Sequence, residues 1–551
     1  MRALGAAPAL TLVLVLGPIL AGLGSMALQA FGTAGLEPWR ALFVAPGVRT
    51  AVLVTLASGI AATALSLALV VAFCAAFHDS RLFMLLRRLI GPLLAVPHAA
   101  MAIGLAFLAA PSGWLLRLVS PWATGFDRPP DLTLIQDPFG LALIAGLVIK
   151  ETPFLFLMTL AALGQVDPGR KLLVARSLGY RPATAWLKVV WPLLYPQLRL
   201  PAFAVLAFSL SVVDMALILG PGTPPPLAVL VTRWSADPDT GIRLQAAAGA
   251  CLLLALTVAA IGAWLAAERL CGRAVQRWLV GGGRGGGSAL RWLAGTAAAL
   301  IVGAAYLGLA GIGLWSVTET WRFPAPLPTA WSLDRWAQAA DVVARPFFAT
   351  LGIGAAAVAA AAVLVLACLE HEQRRRAPVF ALWLLYLPLL VPQPSFLYGA
   401  QQLMIRAGID GGYTAVAWSH LLFVLPYVFL SLAAPYRALD DRYRRSAASL
   451  GAPPWRVFWQ IRLPLLMRPV LVALAVGFAV SVAQYLPTLF AGGGRVETLT
   501  TEAVALAAGG DRRIVGIYAV LQAVLPFLGF ALALAVPAWI WRHRSGMRAF
   551  R

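Results

Sequence analysis

Long apolar segments separated by short polar ones dominate this chain of 551 residues. Several runs approach or exceed 20 nearly uncharged residues, the length at which an α-helix crosses a bilayer. The pattern predicts an all-α polytopic membrane protein with about 12 transmembrane helices. The predicted spans are 8–28, 50–77, 89–110, 139–163, 199–220, 244–267, 292–315, 346–369, 379–403, 413–434, 467–489 and 515–541.

Composition and charge placement support this class. Hydrophobic residues make up 61% of the chain and charged residues only 12%, which is too apolar for a soluble domain. The net charge is +21, and with the N-terminus in the cytoplasm the cytoplasmic segments hold 29 Lys and Arg residues against 13 on the other side. This is the positive-inside pattern. Membrane topology therefore accounts for the positive net charge, and no nucleic-acid partner is expected. The same pattern predicts that both termini lie in the cytoplasm.

The first span raises the question of cleavage. Arg2, the apolar run 9–23 and the small-residue stretch 27–30 loosely resemble a signal peptide. Eleven further spans favour an uncleaved helix, which also leaves six spans in each half. The four cysteines show no metal-type spacing, so we expect packing roles for them and neither a metal nor a cofactor.

The chain divides into two similar halves. The Gly-rich stretch that starts at Gly281 predicts a flexible linker at 281–290 between a first six-helix repeat, 1–280, and a second, 291–551. Matching patterns occur in the same order in both halves, and an even number of spans gives both the same membrane orientation, so the repeats are predicted to be parallel with a path between them. The matches are Val96-Pro97-His98 plus Gly104 with Val391-Pro392-Gln393 plus Gly399, Pro153 with Pro426, and Ser211-Val-Val-Asp214 with Ser481-Val-Ala-Gln484.

A basic loop between the fourth and fifth spans is the most informative motif, and it occurs in both halves. The loops, near 164–198 and 436–466, are too long for simple connections and predict short helices that end at Gly and restart at a Pro. An alternative is that each Gly merely ends a helix. The two copies are Leu173-Val-Ala-Arg-Ser-Leu-Gly179 with Val189-Val-Trp-Pro192, and Arg445-Ser-Ala-Ala-Ser-Leu-Gly451 with Ile461-Arg-Leu-Pro464.

The spacing of Gly451, Ile461, Leu463 and Pro464 resembles the cytoplasmic loop of bacterial ABC importer permeases, the binding-protein-dependent inner-membrane components. The resemblance covers both halves and is closest to fused permeases of the iron(III), thiamine and polyamine type. It implies the type I importer permease fold, a bacterial cytoplasmic membrane location, and a small solute as cargo. The implied partners are two copies of a cytoplasmic ATP-binding subunit and a periplasmic or extracellular solute-binding protein.

In that family the loop carries a coupling helix that inserts into a groove of the ATPase. The resemblance therefore implies coupling roles for matching positions in both copies, although the usual opening Glu is replaced by Leu173 and Arg445. A carboxylate contact to the ATPase is thus missing, and we expect docking by helix shape and apolar packing. The implied coupling residues are Ala175, Leu178, Gly179, Arg181, Pro182, Ala447, Leu450, Gly451, Pro454, Ile461 and Pro464.

The sequence contains no phosphate-binding motif of the G-x-x-x-x-G-K-[ST] type. Its three lysines are Lys150, Lys171 and Lys188, and none of them follows a Gly in this pattern. The chain is therefore not expected to be an enzyme, and its energy should come from a separate subunit or from an ion gradient.

Polar side chains within predicted spans are candidates for the translocation path. A charge at the bilayer centre costs about 2.5–3.5 kcal/mol and marks a function or a buried pair. Lys150 and Asp214 lie at similar predicted depths, and both a path role and a helix-locking pair remain open. The polar residues beside Pro97 and Pro392 either satisfy freed backbone groups or contact the solute. The candidates are His98, Lys150, Glu151, Asp214, Gln393 and Gln484.

Two other function classes fit the sequence less well. A twelve-helix secondary transporter driven by an ion gradient also has parallel halves, but its signature would lie in the short loop between the second and third spans, here residues 78–88. A membrane-embedded enzyme would need a cluster of His and carboxylates or a supported Ser-His pair, and the spans show neither. The repeated loop therefore favours an ATP-driven permease of unidentified substrate.

Overall fold

The computed structural model describes residues 2–32, 35–285, 288–375 and 380–542. These residues form α-helices with short connections, and their only strands are the two-stranded antiparallel pair Thr318–Thr320 (β1) and Ala330–Trp331 (β2). Residues 286 and 287 of the predicted linker and residue 379 at the start of the ninth predicted span lie outside the described residues. The all-α prediction is confirmed.

Thirteen α-helices precede the Gly-rich stretch in the described part of the chain. A π-helical turn, Trp186–Val190, separates the ninth from the tenth. Their bounds are Arg2–Phe31 (α1), Glu37–Val44 (α2), Val48–Phe77 (α3), Arg81–Ala95 (α4), His98–Ala109 (α5), Trp114–Val119 (α6), Leu141–Val166 (α7), Pro168–Ser177 (α8), Pro182–Ala185 (α9), Trp191–Ser211 (α10), Asp214–Leu219 (α11), Leu227–Ser235 (α12) and Thr240–Val280 (α13).

Twelve α-helices follow the Gly-rich stretch among the described residues. A 3₁₀ segment, Phe380–Tyr386, precedes the third of these helices, and a second π-helical turn, Phe458–Arg462, follows the seventh. Their bounds are Ser288–Ser316 (α14), Asp334–Arg375 (α15), Leu387–Leu390 (α16), Gln393–Ala407 (α17), Tyr413–Ala438 (α18), Arg442–Ser449 (α19), Pro454–Val457 (α20), Leu463–Leu465 (α21), Met467–Val482 (α22), Leu486–Gly492 (α23), Leu499–Ala507 (α24) and Arg512–Ile540 (α25).

Within the described residues, ten helices are long and apolar enough to cross a membrane, and an eleventh span is a helix pair bent by 75° at Leu466. Four of the twelve predicted spans are interrupted, and within the described residues no single helix of the ninth, 379–403, is long enough to cross a membrane. The third span is broken before His98 and the fifth after Ser211, the ninth is divided into a 3₁₀ segment and two helices, and the eleventh is broken after Val482. These four apolar segments are therefore long enough to cross a bilayer, but the helical hydrogen bonding within each of them is interrupted.

A proline accounts for the break in both the third and the ninth span. Pro97 caps the start of α5 with φ −59° and ψ 150°, and Pro392 caps α17 with φ −53° and ψ 127°. Proline has no backbone N–H and disfavours helical geometry in the residue before it, so the preceding helix ends. Val96 and Val391 are accordingly extended, with ψ 126° and 127°.

The first helix of each half packs against the opposite half. Helix α1 lies against α15 and α17, and α14 lies against α3 and α5. Glycines permit these close approaches, because a Cβ on Gly104 would lie 2.8 Å from the carbonyl of Gly308, and one on Gly399 would lie 1.9 Å from the oxygen of Gly22. Each half thus packs its first helix against the other half. The two equivalent contacts, Gly104 with Gly308 and Gly399 with Gly22, are called the glycine seams below.

A threonine in each half satisfies the start of a short helix. The Leu227 N–H of α12 donates to Thr55 Oγ1 at 2.9 Å, and the Leu499 N–H of α24 donates to Thr350 Oγ1 at 3.0 Å. Helix starts leave N–H groups without intrahelical acceptors, and burial makes such groups costly. The same long-range contact thus positions the helix that follows the broken span in both halves.

Candidate functional site

The first basic loop folds into two short helices joined by a tight turn. Helix α8 ends at Ser177, and Gly179 takes the left-handed conformation with φ 84°. The Tyr180 N–H donates to Ala175 O at 3.2 Å and the Gly179 N–H to Arg176 O at 3.0 Å. These two bonds close the end of the helix in the manner of a Schellman turn, which favours glycine at its left-handed position.

The second basic loop repeats this turn. Gly451 has φ 79°, the Ala452 N–H donates to Ala447 O at 3.0 Å, and the Gly451 N–H donates to Ala448 O at 3.0 Å. A proline-initiated short helix and a π-helical turn follow in both copies, α9 before Trp186–Val190 and α20 before Phe458–Arg462. The two loops therefore share one backbone design from the glycine turn to the end of the π-helical turn.

Both turns expose an apolar side chain beside the glycine. Leu178 is 57% exposed and Leu450 is 87% exposed, whereas Ala175 and Ala447 are buried and hold each turn against the protein. Of the remaining predicted coupling residues, Arg181, Pro182 and Pro454 are exposed, and Ile461 and Pro464 are half-buried.

A buried ion pair anchors the second loop to the bundle. Arg462, in the π-helical turn, pairs with Glu370 near the end of α15, and the Tyr436 hydroxyl donates to the same carboxylate at 2.7 Å. Arg374 donates to the other carboxylate oxygen of Glu370 at 2.8 Å. The sequence did not reveal this cluster. Arg462 lies within the Ile461–Pro464 motif, but no pattern in the chain links it to Tyr436 or to Glu370.

The matching positions of the first half are apolar. The spacing of the repeat places Ala75, Leu163 and Val190 where the second half has Glu370, Tyr436 and Arg462. All three are buried in the core cluster beneath the first loop. One loop is thus fixed by charge pairing and the other by apolar packing.

Arg445, where the family commonly has Glu, is exposed in the middle of α19. Its neighbour Arg444 donates to Asp441 at 2.6 and 2.7 Å and holds the pKa of that carboxyl below its ordinary value. The acidic residue at the start of this helix is therefore engaged within the loop, and the surface that the loop offers to a partner is basic.

Lys150, in the middle of α7, is buried and caps a helix end. Its Nζ donates to Leu93 O at 3.2 Å, to Leu94 O at 3.4 Å and to Val96 O at 2.5 Å. These carbonyls lost their helical partners where Pro97 interrupts the third span. Of the two interpretations of Lys150, this geometry supports a locking role, although its partners are carbonyls rather than Asp214.

Two carboxylates lie nearby at the junction of the halves. Glu151 is buried and pairs with His98 Nε2 at 3.2 Å, while Asp214 begins α11 directly after the break in the fifth span. Glu151 lies within electrostatic reach of Tyr427, and Asp214 of Tyr485. Both tyrosines belong to the second half, and α11, which begins at Asp214, packs against α24 of that half.

The second half places amides at the corresponding breaks. Gln393 is the first residue of α17, as His98 is of α5, and it is half-buried. Gln484 is buried between the end of α22 and the start of α23. The structure therefore brings His98, Glu151 and Asp214 to one region and sets the two glutamines at the equivalent breaks of the other half.

A second polar cluster, centred on His420 of α18, was missed. Its Nδ1 lies 2.8 Å from Ser481 Oγ and its Nε2 lies 2.9 Å from Thr488 Oγ1. Because the Thr488 hydroxyl donates to Gln484 O at 2.8 Å, it accepts from the ring, which places the imidazole proton on Nε2. A lone histidine within the tenth span was the only sequence signal for this cluster, which braces the broken eleventh span.

Comparison with known proteins decides the family. The chain is 34% identical over 518 residues to the inner membrane ABC transporter permease protein YnjC of Escherichia coli (strain K12), and the alignment covers 93% of each chain. The family model for the binding-protein-dependent transport system inner membrane component matches residues 375–540. The chain belongs to the binding-protein-dependent ABC transporter permease family.

More distant relatives match parts of the permease. It is 26% identical over 129 residues to the spermidine/putrescine transport system permease protein PotC of Escherichia coli (strain K12), covering 23% of the permease and 49% of PotC. It is 32% identical over 124 residues to the molybdenum transport system permease protein ModB of Mycobacterium tuberculosis, covering 20% of the permease and 47% of ModB.

Family membership confirms several predictions. The permease has the type I importer permease fold, and its multi-pass character agrees with a place in the bacterial inner membrane. Members of this family are the permease components of ABC transporters and are not enzymes themselves. Of the two energy sources left open by the sequence, the family favours ATP over an ion gradient.

Proposed function

We propose that this chain forms the complete solute path of an ATP-driven importer and couples it to ATP hydrolysis through the loops near 164–198 and 436–466. Each loop would receive one copy of a cytoplasmic ATP-binding subunit, and a periplasmic or extracellular solute-binding protein would deliver a small solute. The first six-helix repeat, 1–280, and the second, 291–551, would enclose the path between them.

The repeated turn at Gly179 and Gly451 carries this proposal. Both copies pair a buried alanine with an exposed leucine on an identical backbone turn. Two similar turns with exposed leucines on one chain would fit a partner that is present in two copies. Closure of the ATP-binding subunits around ATP would move both loops together. The permease would then switch between its inward-facing and outward-facing states, because its partners bind these two states with different affinity.

The orientation follows from charge. The loops that carry the two turns are on the side that holds 29 of the 43 Lys and Arg residues. The positive-inside pattern assigns this side to the cytoplasm, so both termini are cytoplasmic as well. The loops then face the compartment in which ATP is available.

The side chains at the junction favour a cationic solute. Glu151 and Asp214 are buried there, and the nearby cation Lys150 is held by three backbone carbonyls. Buried carboxylates without a full complement of cations attract positive charge. This agrees with a thiamine-like compound, an iron(III) species or a polyamine. Of the partial relatives, PotC is named for spermidine and putrescine, and ModB is named for molybdenum.

Subunit composition tests the proposal directly. The permease, tagged and purified from a host that also expresses its genomic neighbours, should carry two ATP-binding subunits per chain in native mass spectrometry. In proteoliposomes, the loaded binding protein should stimulate ATP hydrolysis and uptake together. Uptake that follows an ion gradient and proceeds without ATP would overturn the proposal.

A further inference from the structure

We infer that the start of the Gly-rich linker, Gly281–Gly285, is part of the first docking surface, where Arg284 contacts the ATP-binding subunit. The two docking surfaces of this permease are then chemically different. This inference rests on the proposed function, because it takes the loops to be ATPase docking sites.

The linker is attached to the first loop by hydrogen bonds that the linker's backbone carbonyls accept. The Arg181 N–H donates to Arg284 O at 3.1 Å, and Thr184 Oγ1 donates to Gly285 O at 3.2 Å. Lys188 also donates to Gly281 O. Although the composition of this segment predicts flexibility, three bonds from one loop hold its described residues in place.

The side chain of Arg284 lies beside the turn. Its guanidinium is 5.9 Å from the centre of the Tyr180 ring, and its Cδ and one terminal nitrogen would be 3.7 Å from a Cβ on Gly179. Arg284 is exposed, like Leu178 on the same surface. A partner that covers Leu178 therefore meets this guanidinium as well.

Among the described residues, no linker segment lies beside the Gly451 turn of the second docking surface. Nothing lies within 4 Å of the position of a Cβ on Gly451, and Leu450 is more exposed than Leu178. The aromatic and cationic residues that hold the linker, Tyr180 and Lys188, are replaced at the equivalent positions by Ala452 and Gln460. The linker thus contacts one member of the pair and leaves the other open.

Charge defines the partner surface. Arg176, Arg181 and Arg284 are exposed around the first turn, and Arg445 is exposed near the second. Asp441 is paired with Arg444, and the exposed carboxylates of the two loops, Asp167 and Asp440, lie at the starts of α8 and α19, at the opposite end of each helix from the glycine turn. The matching surface is therefore an apolar groove with acidic side chains at its rim, and the acidic contribution should be greater at the first site.

Photocross-linking of the intact complex tests the linker contact. A photoreactive p-benzoylphenylalanine would replace Arg284, Leu450 or, as a control on the opposite side of the membrane, the exposed Trp122. We expect cross-links to the ATP-binding subunit from positions 284 and 450 and none from 122. Cross-linking from 450 alone would overturn the linker contact and leave the proposed function intact, whereas cross-linking from neither would contradict both.

Charge reversal provides an independent measurement. Arg284→Glu should weaken binding of the ATP-binding subunit about fivefold or more at low salt, and the difference should shrink at high salt because an exposed contact is screened. Arg284→Lys keeps the charge and should bind nearly as the unaltered permease does. Equal affinity of all three proteins at low salt would contradict the inference.

Discussion

Gly104 of α5 and Gly308 of α14 lie in direct backbone contact, where the first helix of the second half crosses the third span of the first half. A Cβ on Gly104 would be 2.8 Å from the carbonyl carbon of Gly308. The pair Gly399 and Gly22 makes the corresponding contact with the roles of the halves exchanged. Two glycine seams therefore hold the halves together, and they involve α5 and α17, the helices that begin at His98 and Gln393.

Substitution at a seam should destabilise the whole bundle. In Gly399→Ala the added methyl would overlap Gly22 O, a backbone atom that cannot rotate away. Overpacking of this kind costs about 1–3 kcal/mol, so the unfolding temperature of the detergent-solubilised permease should fall. Gly262→Ala is the matched control, since its Cβ meets nothing within 4 Å. Equal unfolding temperatures for the two variants would refute the close seam.

The Glu370 cluster predicts opposite effects for single and combined substitutions. Glu370→Ala leaves Arg462 buried without its counter-charge, which should cost about 3–5 kcal/mol. The triple variant Glu370→Ala, Tyr436→Leu and Arg462→Val installs the apolar set of the first half. It should recover most of that loss, because an apolar replacement of a buried pair is often neutral or stabilising.

Denaturation of the purified permease, monitored by tryptophan fluorescence, checks both variants. If the triple variant were less stable than the single one, the two loops could not be alternative solutions to the same packing problem. Native-like stability of Glu370→Ala would show that the buried pair does not anchor the second loop.

Lys150→Met separates the locking role from a path role. Methionine keeps the length of the side chain but leaves the carbonyls of Leu93, Leu94 and Val96 without a donor. Each unsatisfied buried group costs about 1–3 kcal/mol, so stability should fall markedly, and Lys150→Arg should retain part of it. A stable Lys150→Met protein with abolished uptake would instead assign Lys150 to the path.

Glu151→Gln and Asp214→Asn test the preference for a cationic solute. Both replacements keep size and hydrogen bonding but remove the negative charge. Loss of a charge-assisted contact costs about 1.5–3 kcal/mol, so uptake of the solute delivered by the binding protein should fall about tenfold or more without loss of folding. Transport assays and unfolding curves on the same preparations measure this, and unchanged uptake by both variants would exclude the carboxylates from recognition.

Features that depend on residues close together in the chain were predicted from the sequence, whereas contacts between distant segments were not. The turns at Gly179 and Gly451 were predicted because glycine, proline and leucine spacing is a local signal. Local breaks with freed backbone groups were expected at the prolines beside His98 and Gln393. They are full helix ends, and in the first half Lys150 satisfies the freed carbonyls from another helix.

Contacts between distant segments were beyond the sequence. Glu370 and Arg462 are 92 residues apart, and although Arg462 lies within the Ile461–Pro464 motif, no pattern in the sequence pairs it with Glu370. The linker looked flexible by composition, yet Arg181 and Thr184 fix its backbone through bonds that only the folded loop can offer. Local patterning thus located the candidate sites, and tertiary hydrogen bonding decided how they are held.

The most direct test of the coupling role is ATP hydrolysis by the reconstituted complex carrying Gly179→Trp and Gly451→Trp. Side chains at these left-handed positions strain the turn by about 1–2 kcal/mol each and place bulk beside the exposed leucines. We predict that the loaded binding protein no longer stimulates hydrolysis and that uptake stops, while the control Gly262→Leu retains both. Normal stimulation and uptake in the double variant would contradict the account.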